Sequence, residues 1–339
     1  MIKSKRLWRE NIYNSLITIE NHLQKKSNQN QENNLIQSLI GPSKSIPCVF
    51  FYDANGSKLF EDITQLPEYY LTRTEKSILE KAIPRLMEKF KDVDIVEFGS
   101  GDCSKISIFL ESIPNSYIDS ISYIPLDVSI DAVEKSSNIL INKFPGLQIK
   151  GIIADFQSQL DVIPHDKKKV FCLLGSTIGN FSMVEAQKFL TNLSKIMKSE
   201  DILLIGFDMV KEKEIIEKAY NDSKKITEKF NKNILNAVNE LICTDFNQDD
   251  FDHVAFFNEE ESRIEMHLRA KKDLEIYSSC YDIKLQINKD ESIHTENSYK
   301  FTEKNIEELA LYSGLEIENI FTDENKWFSL VQLIKNNGD

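Results

Sequence analysis

The feature that most constrains this chain is a series of short apolar runs alternating with helical patterns between Asp94 and Asp208. Asp94–Phe98 (DIVEF), Ser122–Asp127 (SYIPLD), Gln148–Asp155, Lys169–Gly175 (KVFCLLG) and Asp201–Asp208 (DILLIGFD) each read as a buried strand. Between them, Ser104–Ile113, Ile130–Phe144 and Met183–Met197 carry apolar residues at helical spacing. A chain that returns through a helix re-enters a sheet in the same direction, so strands joined this way pair in parallel. The pattern predicts an α/β fold built on a doubly wound sheet.

The alternation stops after Val210. Lys211–Leu241 predicts one long helix, followed by an acidic loop (TDFNQDDFD), and His253–Leu268 and Ser278–Leu285 predict antiparallel strands. A helix at Glu303–Ser313 and a strand at Phe328–Ile334 return the chain to the sheet. Upstream, Trp8–Leu23 has roughly helical spacing, QKKSNQNQENN reads as a polar loop, and Thr74–Phe90 predicts an amphipathic helix. The expected units are residues 1–74, an α/β domain at 75–209, a mixed α+β insertion at 210–300 and a return to the α/β domain at 301–339.

Composition narrows the class of function. A net charge of −13 argues against a nucleic-acid binder, whose footprint is basic. No apolar run approaches the roughly 20 residues of a membrane span. The N-terminus has no apolar signal core either. The five cysteines, Cys48, Cys103, Cys172, Cys243 and Cys280, are dispersed and contain no CxxC pair, the usage of a reducing compartment with neither a disulfide framework nor a zinc site. His22, His165, His253, His267 and His294 make no ligand pattern. A soluble, cytoplasmic, monomeric protein without metal is expected.

The strongest local signal is VEFGSGDCSK at Val96–Lys105. Gly99 and Gly101 let the backbone turn at the end of a strand and approach a ligand closely. A dinucleotide site wants a third glycine, and Ser104 stands there. Glu97, two residues before the first glycine, favours S-adenosylmethionine (SAM). Asp127 ends the second strand, where a carboxylate accepts from ribose hydroxyls. Asp155 ends the third, where it accepts from an adenine amine while Phe156 stacks on the purine. Each acid alone reads equally well as a helix cap or turn residue. Three in register with a glycine loop place SAM above a nicotinamide cofactor.

From Phe51 to Leu333 the chain resembles the histidine Nα-methyltransferase family, which makes hercynine on the way to ergothioneine. The resemblance is carried by YDANGSKLFEDITQLPEYYLTRTE (Tyr52–Glu75), VEFGSGDCSK, YIPLDVS, ADF, FCLLGSTIGNF, GFDMVK, AYND, FNKNIL, DFDHVAFFN, IEMHLR and TENSYKF. It implies a Rossmann-like class I methyltransferase sheet with a mixed α+β substrate-binding insertion domain. Residues 1–74 would join the insertion on the substrate side. Gly99 and Lys105 would line the methionine end of SAM, Asp127 the ribose, and Asp155 with Phe156 the adenine. The substrate, L-histidine, would be gripped by Tyr52, Tyr69, Asn180, Tyr220, Met266, Glu296 and Ser298. Two positions depart from the family pattern: Leu71 replaces a proline, and Asp102 replaces a small hydroxyl residue.

These residue types suit a free amino acid, which offers a carboxylate, an amine and a side chain to be matched. Asn180, after Gly179, falls at a strand end where open α/β sheets bind ligands. Tyr52 and Asn180 are the candidates for orienting the amine by accepting its N–H bonds. Glu296 can accept from an imidazole N–H, and Ser298, two residues on, faces the same side of an extended segment. Three other functions stay open at this level: methylation of another aromatic amino acid such as a prenylated tryptophan, a non-catalytic SAM-binding module, and a nicotinamide oxidoreductase.

Overall fold

The computed structural model describes residues 16–23 and 25–336. Of the helix expected at Trp8–Leu23, residues 8–15 lie outside the described residues, and Ile17–Asn21 is strand β1 instead. Its alternation of half-buried isoleucines with polar residues suits an edge strand. The polar stretch after it is helix α1 (Lys25–Ile40), not a loop. Leu35, Ile36 and Leu39, spaced to fall on one helical face, are buried. Helices α2 (Ala54–Thr64) and α3 (Tyr70–Ala82) follow. The helix expected at Thr74–Phe90 thus starts earlier and ends earlier. Pro84 cannot donate within a helix, and Ile83–Phe90 continues as a 3-10 turn.

The alternating region forms β2 (Val93–Phe98), α4 (Ser104–Ser112), the single turn α5 (Asn115–Ile118), β3 (Ser122–Asp127), α6 (Ile130–Lys143), β4 (Gln148–Ile153), β5 (Lys168–Leu173), α7 (Met183–Ile196) and β6 (Ile202–Asp208). After β6, Tyr220 and Ile226 belong to separate helices, α8 (Lys213–Tyr220) and α9 (Ile226–Ile242). The single helix expected there is broken because the Asp222 carboxylate accepts from the backbone N–H of Ile226 at 2.9 Å and Thr227 at 2.8 Å, starting a second helix. Then come β7 (Phe251–Asn258), β8 (Arg263–Ala270), β9 (Leu274–Ser278), β10 (Ile283–Ile287), β11 (Ser292–Tyr299), α10 (Glu303–Tyr312), β12 (Leu315–Thr322) and β13 (Phe328–Lys335). Half of the segment Ser278–Leu285, expected as a strand, is the turn of the β9–β10 hairpin, with Asp282 at φ 51°; Ser278 ends β9 and Ile283–Leu285 belong to β10. Strand β12 was not legible, because its outward residues leave only a weak apolar alternation.

The eight-stranded sheet has the order β1-β4-β3-β2-β5-β6-β13-β12. Strands β1 to β6 pair in parallel, and β13 and β12 run antiparallel. This is the Rossmann-like α/β architecture. Its order reverses between β2 and β5, the point where open α/β sheets bind ligands beyond the strand carboxyl ends. One apolar layer includes Phe98, Phe171, Phe189 and Phe301, and the opposite one includes Leu79, Phe90, Phe109 and Leu140. A third core joins chain segments far apart in sequence: Leu35, Phe51 and Tyr70 pack with Ile234, Val238, Met266 and Ile293. Over it lies the three-stranded antiparallel sheet β11-β8-β7.

The cysteine expectation is corrected. Cys243 and Cys280 form a disulfide, with Cα atoms 5.6 Å apart. They are separated by 37 residues, and the fold alone joins them. The β9–β10 hairpin docks on the end of α9, where Ser278 Oγ donates to Ile242 O at 2.5 Å and Ser279 N to Cys243 O at 3.0 Å.

Candidate active site

At the sheet's switch point, Gly99 (φ +71°) and Gly101 (φ +48°) turn the chain from β2 into α4. A Cβ placed on either would meet nothing within 4 Å, so the loop borders open space. Asp102 turns back on its own helix: its Oδ1 accepts from Ser104 N at 3.0 Å and Ser104 Oγ at 2.7 Å. The carboxylate therefore serves the start of α4. Leu71 is buried in the first turn of α3, a position where proline is also tolerated.

The strand-end acids stand in a row beside this loop. Asp127 Oδ1 accepts from Ser129 N at 3.0 Å. Burial pushes its carboxyl up, while the backbone N–H groups of Ser129, Gly101, Val128 and Ser100 oppose the rise. Asp155 accepts from Gln157 N at 3.0 Å and from Ser158 Oγ at 2.7 Å. Phe156, half-buried, packs against Phe98, Phe181 and Phe189. Glu97 lies under the loop and accepts from Tyr123 Oη at 2.5 Å. Burial pushes it up to about 8, against the Tyr123 hydrogen bond and the Lys105 charge.

Lys105 reaches across from α4 to Glu75, which is fully buried on α3, at 3.3 Å. Glu75 also accepts from Gly175 N at 2.8 Å. Gly175 adopts φ +79°, a conformation that strains any L side chain, and a Cβ there would lie 2.5 Å from the Lys105 ammonium and displace it, so this turn after β5 favours glycine. Sequence reasoning missed Glu75. The available signal was its place on the apolar stripe Leu71-Glu75-Ile78-Leu79-Ala82, where an acid must be paired.

A second group of side chains meets where the β11 end approaches the β5 turn. A Cβ on Gly179 would lie 3.0 Å from Tyr299 O, so glycine lets this turn press against β11 and sets Asn180 beside it. Glu296 pairs in register with Met266 on β8, which puts both side chains on one face, with Ser298 two residues on. The rings of Tyr69 and Tyr220 meet at 6.4 Å. Tyr52 is 40% exposed and meets Phe60 edge-on at 5.8 Å. Burial and then the Glu296 charge push the Tyr220 phenol well up; for Tyr69, burial and Tyr220 come first. Both stay neutral donors. Among the described residues, the polar ends of Tyr52, Tyr69, Asn180 and Glu296 have no hydrogen-bond partner. Burial pushes the Glu296 carboxyl up to about 7, only partly countered by Lys300.

Beneath this group lies a buried ionic cluster that sequence reasoning also missed. Asp208, at the end of β6, receives Lys211 at 2.5 Å, Lys300 at 2.9 Å and the Tyr70 hydroxyl at 2.8 Å. Burial pushes the Asp208 carboxyl up, but Lys300 and Lys211 outweigh it and hold it below its ordinary value. Lys300 also reaches Ser298 Oγ at 2.8 Å and Tyr220 Oη at 3.1 Å, and those two hydroxyls are 2.8 Å apart. The predicted residues Tyr220 and Ser298 are thus tied to each other and to the cluster.

Comparison with known proteins fits this geometry. Residues 31–335 match the family described as histidine-specific, SAM-dependent methyltransferases. The chain is 35% identical over 292 residues to the histidine N-alpha-methyltransferase of Mycolicibacterium smegmatis, covering 86% of this chain and 91% of that protein. It is 34% identical over 288 residues to the enzyme of the same name from Mycobacterium tuberculosis, covering 85% and 89%. More distantly, it is 24% identical over 318 residues to a 4-dimethylallyltryptophan N-methyltransferase of Claviceps purpurea, covering 86% and 90%.

Proposed function

Because the chain belongs to the family of SAM-dependent, histidine-specific methyltransferases, we propose that it methylates the α-amino nitrogen of free L-histidine three times, giving hercynine for ergothioneine synthesis. The observation that carries this reading is Glu296, a half-buried carboxylate without a partner among the described residues, set beside the hydroxyl-bearing Ser298. An imidazole N–H supplies the partner this carboxylate lacks. A plain hydrocarbon ring would leave it desolvated and unpaired.

The residues present fit SAM, which supplies an activated methyl group on a sulfonium. The open space over Gly99 and Gly101 admits the methionine end, where Lys105 is the cation for its carboxylate. Asp127 is assigned to the ribose, and Asp155 with Phe156 to the adenine. On the substrate side, Asn180 is assigned to the histidine carboxylate, Tyr220 braces Ser298 through its hydroxyl, and Met266 forms a soft wall for the ring. Tyr52 and Asn180 orient the amine, with Tyr69 closing that side.

The nucleophile is the neutral amine, attacking in line with the departing sulfur. Alignment is the enzyme's main contribution. The aromatic faces of Tyr52 and Tyr69 also favour the ammonium that grows with each methyl group. We assign residues 1–74 and 210–300 to the substrate side of the cleft, and residues 75–209 and 301–339 to the methyl-donor side.

The test is a mass-spectrometric assay of the protein with SAM and an equimolar mixture of histidine, tryptophan and phenylalanine. The expected product is trimethylated histidine. Methylation of tryptophan with histidine left unchanged would replace this reading with the one the Claviceps relative suggests.

A further inference from the structure

Lys300 follows β11 and is fully buried. Its ammonium has three contacts: Asp208 Oδ2 at 2.9 Å, Ser298 Oγ at 2.8 Å and Tyr220 Oη at 3.1 Å. An ammonium has three protons and no lone pair, so these contacts use it fully and it can only donate. The Ser298 and Tyr220 hydroxyls are 2.8 Å apart and hold one proton each. Neither proton can go to Lys300. One proton bridges the two hydroxyls, and the other has no acceptor among the described residues. A phenol is the better donor, so the bridging proton is Tyr220's and the unspent one is Ser298's. If the bridge ran the other way, Tyr220 would hold the unspent proton, and the pair would still offer one donor to the cleft.

We infer that Lys300 is a positioning residue that fixes the hydrogen-bond polarity of the ring site, holding an obligate donor at Ser298 beside the acceptor Glu296. That arrangement complements a ring with one N–H and one bare nitrogen. It rests on the reading of the substrate as histidine and adds the ring form that is selected: the neutral imidazole. Asp208 completes the device. If Lys300 is replaced by a side chain that can accept, or that leaves Asp208 Oδ2 open, a hydroxyl proton can turn inward. A lone pair then faces the cleft.

The measurement is kcat/KM for histidine and for the two pyrrolylalanine isomers, each of which has C–H in place of one ring nitrogen. It is made on the full-length wild type, Lys300→Gln, Lys300→Arg and Ser298→Ala, with S-adenosylhomocysteine affinity measured on each as a check of folding. The wild type should prefer histidine to the better pyrrole by about 30-fold, the scale of leaving a buried donor unpaired. Lys300→Gln, which can donate or accept, should bring that ratio to within about threefold. Lys300→Arg, which only donates, should keep the wild-type ratio even if it turns over more slowly. Ser298→Ala keeps the Lys300–Asp208 pair and should also lose the preference.

An unchanged ratio in a Lys300→Gln protein that still binds S-adenosylhomocysteine overturns the assignment. If that variant does not fold, an unchanged ratio in Ser298→Ala does so. A wild type that methylates histidine without preferring it to the pyrroles sinks the polarity assignment alone. A wild type inert toward histidine sinks the substrate reading beneath it.

Discussion

Around the glycine loop, Asp102, Asp127, Asp155 and Glu75 each accept hydrogen bonds from within the chain. At the β11 end, among the described residues, Glu296, Tyr52, Tyr69 and Asn180 have no such partner. The first end is shaped by backbone turns that carry their acids with them, so it exists whether or not a ligand is bound. The second is a set of polar groups held apart by packing and by the ionic cluster around Asp208, with no partner supplied by the described residues. The contrast teaches where selectivity lies. A satisfied, backbone-built site suits a ligand common to many enzymes, whereas an unsatisfied side-chain site discriminates, because a wrong ligand leaves a buried group unpaired.

The largest way to break this comparison is to remove the support of the second end. Asp208→Ala leaves Lys211 and Lys300 buried without their counter-charge. It should destabilise the protein by about 3–5 kcal/mol, measured by urea unfolding. A loss below about 1 kcal/mol, the scale of an exposed pair, would mean that the cluster does not hold the substrate end.

Much of the first end was legible in the sequence, and the reason is local. The glycine loop, Asp127 and Asp155 sit at the ends of strands whose apolar runs announce them, and the parallel order follows from the helices between them. The second end draws on Tyr52, Tyr69, Asn180, Tyr220, Met266 and Glu296, from separate stretches of chain, and no periodicity connects them. Family resemblance named those residues. It did not name Lys300, Asp208 or Glu75, whose meaning lies in whom they touch after folding. The disulfide was hidden for the same reason: the docking of the β9–β10 hairpin on α9 cannot be read from cysteine spacing.

A smaller effect sharpens the comparison from the donor side. Asp127→Ala should weaken SAM binding by roughly 1.5–3 kcal/mol, the cost of losing a hydrogen bond to a charged group. The ratio of histidine to tryptophan turnover should stay unchanged. Calorimetry gives the first quantity and competition assays the second. Unaltered SAM affinity in a folded variant would remove Asp127 from the ribose.

The smallest effect is one of stability and pH. Burial raises Glu296 to about 7 in the ligand-free protein, above the range of an unfolded glutamate. Between those values the folded state holds a proton that the unfolded state has lost, so stability falls as pH rises through this window. Glu296→Gln should therefore stabilise the ligand-free protein by about 1 kcal/mol at pH 8, the full linkage being cut down because the half-buried carboxylate is screened by solvent, and by nothing measurable at pH 4. An equal effect at both pH values would mean that the carboxylate is already solvated or paired.

The central claim is that an unpartnered carboxylate reads the ring of the substrate, and one measurement addresses it most directly. It is kcat/KM for histidine, tryptophan and phenylalanine on wild type and Glu296→Ala. The account predicts that histidine falls by well over tenfold, more than the 1.4 kcal/mol that a tenfold loss represents. Tryptophan and phenylalanine should hold steady or improve, because the carboxylate placed to match an imidazole N–H is gone. A uniform fall across all three substrates, or a histidine rate within a few-fold of wild type, would contradict it.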